Sequence, residues 1–202
     1  RTAAVATLEN RYDRHGMRVH LERFAGQCRE ACGLALPLPR KTHYDSVCFC
    51  GMGGSAVGGD IAQVLVSNSS AVAFVVHRDY GLPAWVGRET LVILESYSGN
   101  TEETLSAFEE AMRRGASVWA VTSGGALRRM AHRAGVPAVH IPEGLPPRCA
   151  LGYLFFPVLR LMNALKLVPE SPTERLFAAM DRTIARYRRP ANPANRAVSL
   201  AR

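Results

Sequence analysis

Three aliphatic hydroxyls, those of Ser96, Ser98 and Thr101, fall within the stretch Ser96-Tyr97-Ser98-Gly99-Asn100-Thr101, and Glu102-Glu103-Thr104 then open a helix-like pattern. The apolar run Leu91-Val92-Ile93-Leu94 precedes them, so the stretch reads as a strand-to-helix turn. A helix start leaves backbone N–H groups without intrahelical partners and carries the positive end of the macrodipole, and together these favour an anion. Ser96, Ser98 and Thr101 add neutral donors there, and Gly99 permits a sharp turn or the close approach of a ligand. The turn holds no Lys or Arg, which separates it from the G-x-x-x-x-G-K-S/T loop of nucleotide hydrolases. A phosphate held by uncharged donors is the chemistry these residue types favour. The competing reading is a helix cap by Ser98 or Asn100, with Glu103 completing a capping box.

An earlier glycine-rich turn, Gly51-Met52-Gly53-Gly54-Ser55, follows the apolar run Ser46 to Cys50 and leads into another helical segment. Two such turns at strand ends of one sheet can face one crevice. Gly51, Gly53 and Ala56 also fit a degenerate dinucleotide fingerprint. That reading wants an acid at the end of the second strand to hold a ribose, whereas the sequence there is His77-Arg78. Arg78 would suit a 2′-phosphate, which keeps a weak dinucleotide reading open.

The elements that would position these turns are short continuous apolar runs at residues 46–50, 71–76, 91–94, 118–122 and 138–141, with helical stretches after the first, third and fourth. This alternation predicts an α/β fold, a three-layer αβα sandwich around a five-stranded parallel sheet. Residues 77–83 are too short and broken for a crossover helix between the second and third strands. One or two amphipathic helices are expected within residues 3–29, with Pro37 and Pro39 closing that arm. Residues 148–167 read as a long apolar helix that Pro157 should bend or shorten, and residues 172–188 as a final amphipathic helix. The expected organisation is an N-terminal helical arm over 1–40, the αβ domain over 41–168, and a C-terminal helix and linker over 169–202.

With 202 residues and 48% apolar content the chain can fill a sizeable core. No apolar run is long enough for a transmembrane span and no signal-peptide core opens the sequence, so no membrane partner is expected. An opening Arg1 in place of Met points to residues upstream. Five cysteines without C-x-x-C spacing predict a reducing, cytoplasmic setting and no metal site, with Cys48 and Cys50 acting as small buried apolar residues. Of the 25 basic residues 23 are Arg, and seven of these lie in residues 171–202 against Glu174 and Asp181, so the formal charge of +8 is mostly a property of the tail. The tail is either a phosphate-tracking surface or, the preferred reading, a helix face that covers an absent partner domain. No helix-turn-helix or aromatic platform accompanies it, and no nucleic-acid partner is expected.

Three ordered motifs, Gly51-Met52-Gly53-Gly54-Ser55, Ser96-Tyr97-Ser98-Gly99-Asn100-Thr101 and Pro147-Arg148-Cys149-Ala150-Leu151-Gly152-Tyr153, resemble the first sugar isomerase (SIS) domain of the bifunctional phosphoglucose/phosphomannose isomerases. Arg78-Asp79-Tyr80-Gly81-Leu82-Pro83 and Thr122-Ser123-Gly124-Gly125 match the same pattern. The resemblance implies a SIS-like sheet, no cofactor, a homodimer, and a hexose 6-phosphate whose phosphate is held by Ser55, Ser96, Ser98 and Thr101 while Gly53 and Gly54 let the backbone pass close to the sugar. It assigns Arg148 to the enediolate formed as a proton moves between C1 and C2 in the interconversion of glucose 6-phosphate or mannose 6-phosphate with fructose 6-phosphate. A surface arginine paired with a carboxylate is the other reading of Arg148. In the family the general base and the ring-opening histidine come from a second SIS domain, before which this chain stops. Residues 192–197 resemble the linker into that domain, with Asn195 where a lysine is usual. None of the six histidines matches a catalytic motif, and Glu95 as a base would be opposed by a neighbouring phosphate. The chain as given is therefore expected to bind the sugar phosphate without enzyme-like turnover. The alternative is a stand-alone, non-catalytic phosphosugar-binding module.

Overall fold

The computed structural model describes Asp13, residues 16–170 and residues 172–188. The linker-like residues 192–197 and any helix before residue 16 lie outside the described residues. The chain divides into two compact units, Arg1–Arg29 with Ser171–Arg202, and Glu30–Glu170.

In the smaller unit, helix α1 (Met17–Glu22) and the start of α2 (Phe24–Gly33) join α7 (Thr173–Tyr187) through arginines. Arg29 forms an ion pair with Asp181 (Nη2–Oδ2 2.5 Å), and its guanidinium lies 5.3 Å from the centre of the Phe177 ring. Arg18 donates to the Arg188 carbonyl at 2.9 Å, and Arg188 reaches Glu22 at 3.3 Å.

The larger unit holds β1 (Ser46–Gly51), α3 (Gly54–Ser67), β2 (Ala73–His77), β3 (Thr90–Glu95), α4 (Glu102–Arg114), β4 (Ser117–Thr122), α5 (Gly125–Ala134), β5 (Ala138–His140), a 3-10 turn (Pro147–Cys149) and α6 (Leu151–Ala164). All pairings are parallel, in the order β2-β1-β3-β4-β5. The central strands β1, β3 and β4 are buried almost throughout, which is why their sequences are continuous apolar runs. Edge strand β2 mixes exposed and buried positions and begins at Ala73 rather than Ala71. One face packs Cys48, Cys50, Val92, Leu94, Val118 and Ala120 against Ala107, Phe108 and Ala111 of α4 and Leu127 and Ala131 of α5. On the other face Phe49 stacks with Phe74 at 6.2 Å and fills the space where Gly59 of α3 lacks a side chain. Gly58 brings α3 against α6, its missing Cβ lying 3.5 Å from Phe155 Cα.

From β1 the chain goes outward to β2 and returns past β1 to β3. The sheet therefore has its topological switch point between β1 and β3, and open α/β sheets form a ligand crevice beyond the carboxyl ends of the strands there. The returning segment is not a helix. Leu82 and Val86 enter the core instead, and α4 supplies the hydrogen bonds that a helix would have made internally. Arg114 donates to the carbonyls of Pro83 (2.6 Å), Val86 (3.3 Å) and Leu82 (3.1 Å), Ser106 accepts from Gly81 N, and Glu110 accepts from Leu82 N. The apolar segment after Pro146 is a 3-10 turn followed by α6, which ends at Ala164 and keeps Pro157 within it.

Candidate functional site at the switch point

The turn after β3 is built by its own hydroxyls. Ser96 Oγ accepts from Gly99 N at 3.0 Å and lies 2.7 Å from Thr101 Oγ1, and Ser98 Oγ accepts from Asn100 N at 3.2 Å. Thr101 is the N-cap of α4 and makes no side-chain capping bond. Neither Ser98 nor Asn100 caps that helix. Asn100 instead reaches across to α5, where its Oδ1 accepts from Ala126 N at 3.0 Å, and the Gly99 carbonyl accepts from Leu127 N at 2.8 Å. The start of α5 is thus closed by the turn after β3, whereas the start of α4 keeps its uncapped N–H groups beside the exposed Ser98 and half-buried Thr101. Of the two helix starts, α4 can take an anion.

The turns after β3 and β4 interlock through two glycines. Gly99 has φ +68°, and a Cβ there would stand 1.9 Å from the Gly124 carbonyl oxygen; one on Gly125, also at φ +68°, would stand 2.3 Å from the Ser98 carbonyl oxygen. Left-handed backbone and the absence of a side chain are both required for this approach.

Across the switch point, Gly53 and Gly54 are exposed at the start of α3, and Ser55 Oγ accepts from Tyr97 N at 3.2 Å. The missing Cβ of Gly54 would lie 3.6 Å from the Pro147 carbonyl oxygen and 3.9 Å from Arg148 Cα. Residues from three distant stretches therefore meet at one edge of the sheet. Arg148 is exposed and, among the described residues, has no carboxylate partner, so the surface ion pair considered for it is not formed. Ser55 and Ser96 are buried beneath this rim. Arg78 pairs with Asp60, which occupies the cation that a 2′-phosphate would have used. Glu102 stands in the first turn of α4, where it meets the helix dipole but would repel an anion; Tyr80 Oη donates to its Oε2 at 2.9 Å. Among the described residues no group of three or more His, Cys, Asp and Glu side chains is placed to hold a metal, and no helix is long and apolar enough to cross a membrane.

Glu95 has no exposed surface, and neither of its carboxyl oxygens has a hydrogen-bond partner. It ends β3 on the face covered by α3 and α6, with Oε1 3.5 Å from where a Gly58 Cβ would lie. Burial pushes its carboxyl well above the ordinary value and so favours the neutral form. Its environment, rather than repulsion by a phosphate, is what keeps it from acting as an exposed base. Between the ordinary carboxylate value and the raised folded one the native state binds more protons than the unfolded chain, so stability falls as pH rises through that window. Glu95→Gln, which keeps the shape and has no charge to bury, should flatten that fall and leave a protein more stable than the parent at alkaline pH. Chemical denaturation across a pH series checks this, and parallel curves for the two proteins would show that Glu95 is not buried in its neutral form.

No family model matches the sequence. A bifunctional phosphoglucose/phosphomannose isomerase of Caldicellulosiruptor bescii is 49% identical over 124 residues, 61% of this chain and 37% of that protein. The enzyme of the same description from Aquifex aeolicus is 43% identical over 137 residues, 67% of this chain and 42% of that protein. A D-glucosamine-6-phosphate 4-epimerase of Sulfolobus acidocaldarius is 32% identical over 120 residues, 59% of this chain and 38% of that protein. Among solved structures, a hypothetical protein from Thermus thermophilus superposes with a TM-score of 0.65 at 19% identity, covering 99% of this chain and 52% of that one. The tagatose-6-phosphate ketose/aldose isomerase of Escherichia coli gives 0.53 at 20% identity, covering 72% and 42%. At these identities the structural matches show the fold, which is of the SIS type. The chain spans less than half the length of the curated relatives it matches. Over the matched length this chain is homologous to the bifunctional phosphoglucose/phosphomannose isomerases.

Proposed function

We propose that residues 30–170 bind a hexose 6-phosphate at the switch point and supply the phosphate-holding and enediolate-stabilising half of an aldose–ketose isomerase. The phosphate would sit at the start of α4, bound by backbone N–H groups with Ser98, Thr101, Ser96 and Ser55. The C1–C2 end of the sugar would cross Gly53 and Gly54 towards Arg148. The observation that carries this reading is the open start of α4: its side-chain caps are engaged elsewhere, and uncharged hydroxyls border it. Arg148 acts as a fixed cation beside the developing oxyanion, a term felt most in the transition state. Proton abstraction belongs to residues outside the part matched here, because Arg148 stays charged and Glu95 does not reach the surface. We place the protein in the cytoplasm and propose a second SIS domain or a second copy as the partner that would complete the site, a reading supported by relatives more than twice as long as the matched part.

Titration with fructose 6-phosphate tests the proposal. Ser98→Ala and Thr101→Val should each weaken hexose 6-phosphate binding by about 1.5–3 kcal/mol, the range for hydrogen bonds to a charged oxygen, and leave free sugars almost unaffected. If inorganic phosphate and sugar phosphates leave the amide chemical shifts of residues 95–104 unmoved, the site is elsewhere. The second reading, a phosphosugar-binding module without catalysis, is favoured by the burial of Glu95. It predicts binding that persists, and turnover that stays absent, when the remaining length of an isomerase relative is supplied.

A further inference from the structure

We propose that Tyr97 is the positioning residue for Arg148, holding the arginine's turn in place relative to the phosphate site. This rests on the role proposed for Arg148 above. Tyr97 lies inside the phosphate turn yet is 8% exposed, and it makes hydrogen bonds to three other segments. Its N donates to Ser55 Oγ at the start of α3. Its carbonyl accepts from Ser123 N at 3.1 Å and from Ser123 Oγ at 2.6 Å, in the turn after β4. Its phenol hydroxyl donates to the Pro142 carbonyl at 3.1 Å and accepts from Leu145 N at 2.8 Å, both in the loop after β5. The backbone bonds order the phosphate turn. The hydroxyl ties that turn to the loop leading to Arg148.

That loop transmits position well because it is stiff. Between Leu145, held by the phenol, and Arg148 stand only Pro146 and Pro147, whose rings fix φ. Cys149 N then donates to the Pro146 carbonyl at 2.8 Å and closes the 3-10 turn around Arg148. Gly54 abuts Pro147 and Arg148 from the opposite side. Arg148 itself has no carboxylate to hold it among the described residues, so its place depends on its backbone. A hydroxyl that donates and accepts at once must remain protonated, and burial, which raises the Tyr97 phenol above its ordinary value, keeps it so. A phenylalanine would fill the same space and lose both bonds.

The experiment is a double-mutant cycle on the full chain with Tyr97→Phe, Arg148→Ala and the pair. Affinity is measured for inorganic phosphate and for 5-phospho-D-arabinonate, a five-carbon acid that places a carboxylate where the enediolate oxygens of a six-carbon substrate fall. Tyr97→Phe is expected to leave inorganic phosphate within about twofold and to weaken the arabinonate by about tenfold, the loss of one to two hydrogen bonds' worth of positioning. In the Arg148→Ala background the same change should cost nothing further, because a positioning residue acts through the group it positions. Additive losses, or an equal loss for inorganic phosphate, would overturn the proposal and make Tyr97 a support of the turn. The Arg148 Nε–H resonance gives a readout that needs no ligand: it should shift in Tyr97→Phe while the thermal transition remains cooperative, and an unmoved resonance also overturns the proposal. Failure of the functional reading is distinct, since it appears in the parent protein as no preference for the arabinonate over inorganic phosphate and no effect of Arg148→Ala.

Discussion

Gly99→Ala is expected to abolish hexose 6-phosphate binding and to lower stability by about 3 kcal/mol, in the upper range for single substitutions. Two penalties combine. At φ +68° an L side chain pays about 1–2 kcal/mol for the left-handed conformation. The new Cβ would also fall 1.9 Å from the Gly124 carbonyl oxygen, which belongs to backbone and cannot rotate away. Relief requires the two turns to separate, which breaks the Leu127 N to Gly99 carbonyl bond and the Asn100 cap on α5. Gly135→Ala, after α5, provides the contrast: it is left-handed at φ +63° and has nothing within 4 Å of its Cβ, so it should show the conformational cost alone. Denaturant melts of both variants, with fructose 6-phosphate titrations, check the prediction. Equal losses would mean that the contact between the turns is not tight.

Arg148→Ala should have the largest effect on chemistry. In any form of the protein that turns over, kcat is expected to fall by about 10²–10³, the cost of removing a preorganised group at a developing oxyanion, with KM changed only a few-fold. Arg148→Lys should recover only part of this, because an ammonium does not reproduce the planar fork of the guanidinium. Steady-state kinetics with glucose 6-phosphate and fructose 6-phosphate decide the matter. A raised KM at unchanged kcat would show that Arg148 contributes uniform binding rather than transition-state stabilisation.

The sheet was legible because its central strands are covered on both faces. Val47 to Cys50, Leu91 to Leu94 and Val118 to Val121 are continuous apolar runs for that reason, and the edge strand β2, half exposed, is where the expected start was displaced. The irregular return to β3 could be anticipated from the broken residues 77–83, but not its solution, since Arg114 lies on a helix that comes later in the chain. Local spacing also located the strand-to-helix turn at Ser96 to Thr101. It could not assign Asn100, whose partner Ala126 belongs to another helix, and so the cap on α4 remained a live alternative. Glu95 illustrates the same limit: β-strand alternation turns it away from Ser96, but whether that face is open depends on α6, far along the chain. The nearness of Arg148 to Gly54 was carried by family resemblance and by nothing in the spacing.

The strand order has a consequence for how the chain is made. β1, the first strand among the described residues, lies inside the sheet between β2 and β3, so it needs partners on both edges and only β2 arrives soon after it. Its other edge, Ser46 to Gly51, stays unpaired until Thr90 to Glu95 have left the ribosome, an interval of a few seconds at about 5–20 residues per second. During that time a strand carrying Val47, Cys48, Phe49 and Cys50 presents open backbone groups, the template on which chains pair with one another. The strand order that places the switch point between β1 and β3 thus also leaves an apolar strand edge open for a time during the protein's biogenesis.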